Sequence, residues 1–182
     1  MKAAVIGLGT MGMGAALSLA KAGHETWGCD LREAARAELE AAGGHAVGRA
    51  ADLPADLEGV VLLVVNAAQV EDVLFGADGC IERLPAGAVV LLSVTMAPAV
   101  TRSLAARLEA RGLLVLDAPV SGGFAAAIAL ASAAPSRSPD PANSFSAAAK
   151  SFARTRTSPR ISLPAGPGSD PRRFSFSPLL RS

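Results

Sequence analysis

Short apolar runs alternate with longer amphipathic stretches through the first two thirds of the chain. Residues 3–6 (AAVI) are the first such run, closed by a glycine, and predict a buried parallel strand. Residues 15–22 continue with good helix formers until Gly23 stops them. Residues 25–29 (ETWGC) read as a second strand, and 33–42 as a helix closed by Gly43 and Gly44. Residues 45–47 suggest a short third strand, and 50–57 a short helical turn. The run 60–65 (VVLLVV) predicts the next buried strand, ending in Asn66, with a helix over 69–75. After Pro85-Ala86-Gly87, residues 88–94 (AVVLLSV) predict another strand. Pro98 opens a helix running to Arg111, a normal use of proline in a first turn, and 113–116 form the last strand. Strands alternating with helices imply an α/β fold built on a doubly wound parallel sheet.

Between the first strand and the first helix stands Gly7-Leu8-Gly9-Thr10-Met11-Gly12, spelling G-x-G-x-x-G. The first glycine allows a tight turn, the second lets backbone approach a pyrophosphate, and the third permits close helix–strand packing. The helix N-terminus behind them points unpaired N–H groups and a positive dipole end at an anion. The hexapeptide is weak evidence alone. Its position between a strand pattern and a helix pattern makes it a dinucleotide-site motif in a Rossmann arrangement. Asp30 follows the second strand, 23 residues after Gly7. An acid there accepts hydrogen bonds from the adenosine ribose and repels a 2′-phosphate, which favours NAD and makes NADP the less suitable cofactor. Arg32, close by, weakens that preference slightly. Asp30 also suits a cap on the helix 33–42, and the two roles are compatible. Asn66 stands at the carboxyl end of a strand, where open α/β sheets place ligands. It suits the cofactor's ribose or nicotinamide side and a helix cap equally well. Thr95 stands at the end of the next strand.

Charge changes the picture beyond residue 130. Residues 1–130 carry 9 Lys/Arg and 14 Asp/Glu (9 − 14 = −5), whereas 131–182 carry 8 Lys/Arg and 2 Asp (8 − 2 = +6). Eight of the 12 prolines also lie in that second part, so two kinds of sequence are joined. Cys29 and Cys80 are too few for a disulfide framework or a zinc site. His24 and His45 have no acidic or cysteine partner at ligand spacing and read as surface or strand-edge residues, so no metal site is expected. Strand residues begin at position 3, leaving no room for a leader peptide, and no apolar run reaches the ~20 residues of a membrane helix. The expectation is a cytoplasmic protein.

Two motifs together resemble the β-hydroxyacid dehydrogenases, the 3-hydroxyisobutyrate dehydrogenase-like family. GLGTMGMG at residues 7–14 matches the family's opening G-L-G-x-M-G, and DAPVSGG at 117–123 matches its substrate-loop signature. VVNAAQ at 64–69 further resembles the L-threonate dehydrogenase branch. The similarity covers residues 1–127. It implies NAD held by Gly7 to Gly12 and Asp30, with Asn66 and Thr95 at the ribose and nicotinamide portion. Ser121, Gly122 and Gly123 would hold the carboxylate and hydroxyl of a small hydroxy-acid substrate, consistent with a glycine pair exposing N–H groups to an anion. The resemblance also implies a homo-oligomer, and a lysine followed by asparagine on a later helix as general acid/base. That lysine motif is absent here. Lys150 lacks the flanking glycines and the asparagine and follows Ser121 too soon, which argues against it as the base.

The expected organisation is a dinucleotide-binding domain over 1–123, a helix stub over 124–134, and a disordered Ser/Pro/Arg-rich tail over 135–182 in place of the family's helical domain. Such a tail cannot bury enough apolar surface to offset ordering entropy. A basic arm for nucleic acid is one origin for it, but the arginines are scattered among prolines without stacking aromatics, which argues against that partner. A regulatory linker is a second. A slipped reading frame near Phe124 is the third, and the abrupt change of composition behind an intact motif favours it.

Overall fold

The computed structural model describes residues 1–118, in which six strands and four α-helices alternate. The strands are β1 (Lys2–Ile6), β2 (Glu25–Cys29), β3 (His45–Val47), β4 (Gly59–Leu62), β5 (Val89–Leu92) and β6 (Leu114–Asp117). The helices are α1 (Thr10–Lys21), α2 (Glu33–Ala41), α3 (Ala67–Phe75) and α4 (Pro98–Glu109). All pairings are parallel, in the order β3-β2-β1-β4-β5-β6. The expected doubly wound sheet is therefore present. Its strand order reverses at β1, and ligands of open α/β sheets bind beyond the carboxyl ends of the strands at such a point. The glycine motif begins there.

The apolar runs are continuous because both sheet faces are covered. On one face Ile6, Leu62, Val90 and Leu92 pack with Val70 and Leu74 of α3 and Leu104 and Leu108 of α4. On the other, Ala3, Val5 and Val61 pack with Ala16 and Leu19 of α1 and Leu39 of α2. Burying a Leu or Val side chain stabilises by roughly 1.5–3 kcal/mol. These two layers bury both faces of β1, which pairs with β2 on one side and β4 on the other.

Several boundaries depart from the apolar pattern. The run 60–65 reads as strand throughout, yet β4 ends at Leu62. The Leu63 amide still donates to the Ile6 carbonyl at 2.9 Å, but Gly7 then turns the neighbouring strand away, so Val64 and Val65 have no ladder to join. Val65 is 82% exposed as a result. β5 likewise ends at Leu92, short of residue 94, where the Ser93 amide donates a last time across to the Leu62 carbonyl. α4 ends at Glu109 instead of 111, and Gly112, at φ 78°, takes the left-handed turn that follows. Residues 50–57 contain one 3-10 turn, Ala50–Asp52, and a second turn, Ile81–Arg83, carries no periodic signal in the sequence. Ser121, Gly122, Gly123, Lys150, the expected helix stub over 124–134 and the tail over 135–182 lie outside the described residues.

Candidate functional site

The three motif glycines are required for different reasons. Gly7 has φ +94°, and a Cβ there would stand 2.6 Å from the Leu63 carbonyl oxygen. Gly12 is buried in the first turn of α1, and a Cβ would come within 1.7 Å of the Gly7 carbonyl oxygen, so only glycine lets the helix lie against the turn. Gly9 has φ −65°, open to any residue, and a Cβ would meet nothing within 4 Å. No packing among the described residues demands a glycine at this position. Its bareness leaves open space above the loop.

The amides divide in the same way. Gly7 donates to the Cys29 carbonyl at 2.8 Å and Leu8 to the Asp30 carboxylate at 2.8 Å, so these two are engaged within the fold. Met13 is the first residue of the α1 turn to close a bond, onto the Gly9 carbonyl at 2.8 Å. Among the described residues the amides of Gly9, Thr10, Met11 and Gly12 meet no acceptor, and no side chain caps α1. Among the described residues four donors thus stand unpaired at the positive end of a 12-residue helix, an arrangement suited to an anion. Leu8 contributes backbone alone: its side chain is buried, against the same space beside Gly28 that Leu39 fills. Thr10 is exposed and Met11 half-buried at the rim of the loop.

Asp30 is the second pole of the site. Its Oδ2 accepts from the Leu8 amide at 2.8 Å and Arg32 Nη2 at 3.1 Å, and its Oδ1 from the Arg32 amide at 2.9 Å and Arg32 Nε at 3.0 Å. Burial opposes the charge, but the Arg32 guanidinium and the two amides outweigh it and hold the carboxyl below its ordinary value. Asp30 Oδ1 accepts from the amide of Arg32, which is itself the N-cap residue of α2, and no side chain caps that helix among the described residues, so the structure does not show the expected cap role of Asp30. Arg36 completes the turn, its Nη1 donating to the Asp30 and Leu31 carbonyls at 2.8 Å each. The sequence reading did not single it out.

Asn66 acts as the N-cap of α3. Its side-chain oxygen accepts from the Gln69 amide at 3.0 Å, while Gln69 Oε1 accepts from the Val65 amide at 2.9 Å. This reciprocal arrangement resembles a capping box, displaced by one residue on the return bond. Thr95 is exposed, three residues beyond the end of β5. The remaining reactive side chains stand apart from the loop chemistry. Burial pushes the Cys29 thiol up to about 11 and the Cys80 thiol up to about 12, so both are protonated at neutral pH. His45 stacks on Trp27 at 4.7 Å on the outermost strand.

Residues 2–154 match the family described as the NAD binding domain of 6-phosphogluconate dehydrogenase. The chain belongs to that family. Its cofactor is NAD, and the free amides, the open space over Gly9 and the Asp30 carboxylate fit such a dinucleotide. Within the family this NAD-binding domain is similar to 3-hydroxyisobutyrate dehydrogenase-like proteins, as the two motifs led us to expect. It is 50% identical over 126 residues to an L-threonate dehydrogenase of Haemophilus influenzae, covering 69% of this chain and 42% of that one. It is 39% identical over 126 residues to an NAD-dependent L-serine dehydrogenase of Pseudomonas aeruginosa, with the same two coverages, 69% and 42%. The crystal structure of 3-hydroxyisobutyrate dehydrogenase from Salmonella typhimurium matches with a TM-score of 0.66 at 44% identity, over 69% of this chain and 44% of that one. The chain spans about two fifths of the length of the curated relatives it matches. Among the described residues no helix is long and apolar enough to cross a membrane.

Proposed function

We propose that this chain supplies the cofactor-binding part of an NAD-dependent oxidoreductase of the β-hydroxyacid dehydrogenase class, acting on a small hydroxy acid of the L-threonate kind. The observation that carries the reading is the set of four unpaired amides at residues 9–12 beside the Asp30 carboxylate. The amides receive the pyrophosphate over Gly9, and Asp30 accepts from the adenosine ribose and disfavours a 2′-phosphate, which sets NAD above NADP. Leu31 and Val65, 88% and 82% exposed, follow the two strands that flank β1 and wall the adenosine with apolar surface. Asn66, while capping α3, and Thr95 face the ribose and nicotinamide portion. Ser121 holds the substrate through its hydroxyl, and Gly122 and Gly123 through their amides.

The bound nicotinamide supplies the hydride chemistry. The residues of this chain bind, orient and shield. Proton transfer at the substrate hydroxyl needs a general acid/base, and the lysine motif that serves it in the family is absent from these 182 residues. Loss of that group forfeits roughly 10²–10⁴-fold in rate. The 182 residues therefore bind NAD with negligible turnover. A second reading, a non-catalytic dinucleotide-binding module, rests on the same four amides and requires no substrate residue.

Calorimetric titration with NAD and NADP, alongside NADH formation with L-threonate, tests both. We expect NAD to bind more tightly than NADP, and NADH to stay at background. A chain that binds no NAD overturns the site, and robust NADH formation overturns the module reading.

A further inference from the structure

Arg32 holds an unusual place at the edge of the site. An ionised carboxylate offers about four acceptor positions, and in Asp30 all of them are filled: each oxygen accepts two hydrogen bonds. Two of the four donors are backbone amides, of Leu8 and Arg32, and stay with the fold. The other two are Arg32 Nε and Nη2, from a side chain that is 63% exposed. The same Nη2 also donates to the Leu8 carbonyl at 3.1 Å, so the guanidinium lies across the gap between the glycine loop and the end of β2. A vicinal diol presented to Asp30 meets a carboxylate with no acceptor position left.

We propose that the Arg32 side chain limits the NAD-over-NADP preference that Asp30 imposes, by occupying on Asp30 the two acceptor positions that the ribose hydroxyls require. The inference rests on the NAD site proposed above. For NAD to engage Asp30, the guanidinium must release both carboxylate oxygens, and that release weakens the binding of NAD. For NADP the same movement is productive. The freed guanidinium meets the 2′-phosphate with charge-assisted bonds, and offsets its repulsion from Asp30. Arg32 thus narrows the discrimination that Asp30 alone would impose. Arg36 does not do this, since it is tied to the Asp30 and Leu31 carbonyls.

Calorimetric titration of the full chain with NAD and NADP, in the native form and as Arg32→Ala, Arg32→Gln and Asp30→Ala, reads the effect. Removing the guanidinium should tighten NAD by roughly two- to fivefold, the scale of an exposed ion pair. It should weaken NADP on the order of tenfold, so the preference for NAD widens by more than tenfold. Arg32→Gln should move both affinities in the same directions, which keeps the test readable if the alanine variant folds poorly. An unchanged ratio in both Arg32 variants, with Asp30→Ala still weakening NAD, overturns the role of Arg32 and leaves the site intact. NAD affinity that ignores Asp30→Ala, or no NAD binding by the native chain, overturns both the site and this proposal.

Discussion

Gly9 and Gly12 stand three positions apart and are glycines for opposite reasons. At Gly12 the constraint is internal, because a methyl group would overlap the Gly7 carbonyl. Gly12→Ala is expected to destabilise by about 1–3 kcal/mol or more, the scale of overpacking, read by urea unfolding. At Gly9 the constraint is external. Gly9→Ala meets no atom of the described residues and costs under about 1 kcal/mol as an N-cap change, yet its methyl would enter the space proposed for the pyrophosphate. NAD affinity should therefore fall with the fold retained, as calorimetry and circular dichroism on one sample would establish. Asp30 gives the third residue-level expectation. Its folded-state carboxyl titrates below the unfolded value of ~3.9, so the charged form is favoured by folding. The stability it contributes is complete above the unfolded value and is lost as pH falls through the folded one. Asp30→Asn should be less stable than the native chain at pH 5, with the difference closing toward pH 2 in thermal unfolding.

At the scale of elements, helix ends matter more than helix interiors. α3 begins immediately after the last apolar residues of β4's run, and its start is defined by Asn66 and Gln69 bonding back onto the chain. Asn66→Ala should cost about 1 kcal/mol, whereas Asn66→Asp should retain the cap. A loss of NAD affinity beyond the loss of stability would separate a cofactor contact from the cap. α3 is further tied to α4 by Arg107, which donates to both Glu71 carboxylate oxygens at 2.6 and 2.8 Å and lies 3.7 Å from the Phe75 ring centroid. All three groups are partly exposed, so this tie contributes little beyond orientation.

For the whole molecule, a ligand that binds the folded chain alone must stabilise it. At NAD concentrations a hundredfold above its dissociation constant the gain is about 2.7 kcal/mol. The melting temperature should rise by several degrees, and more with NAD than with NADP. A melting temperature indifferent to NAD would remove the dinucleotide site.

The amino-acid sequence by itself determined the alternation of strands and helices, the glycine loop between β1 and α1, and the acid closing β2. Each of these depends on local periodicity or on backbone demands that a single residue type satisfies. The tertiary structure decided where strands stop, because ladder length depends on the neighbouring strand. Gly7 turning away ends β4 at Leu62 and exposes Val65, though VVLLVV contains no break. It also divided the loop amides into those of Gly7 and Leu8, bonded within the fold, and those of residues 9–12, left for an anion. Arg32 bonded across Asp30 to the Leu8 carbonyl was beyond reach of the sequence, since it joins residues 24 positions apart that meet only when β1 and β2 pair.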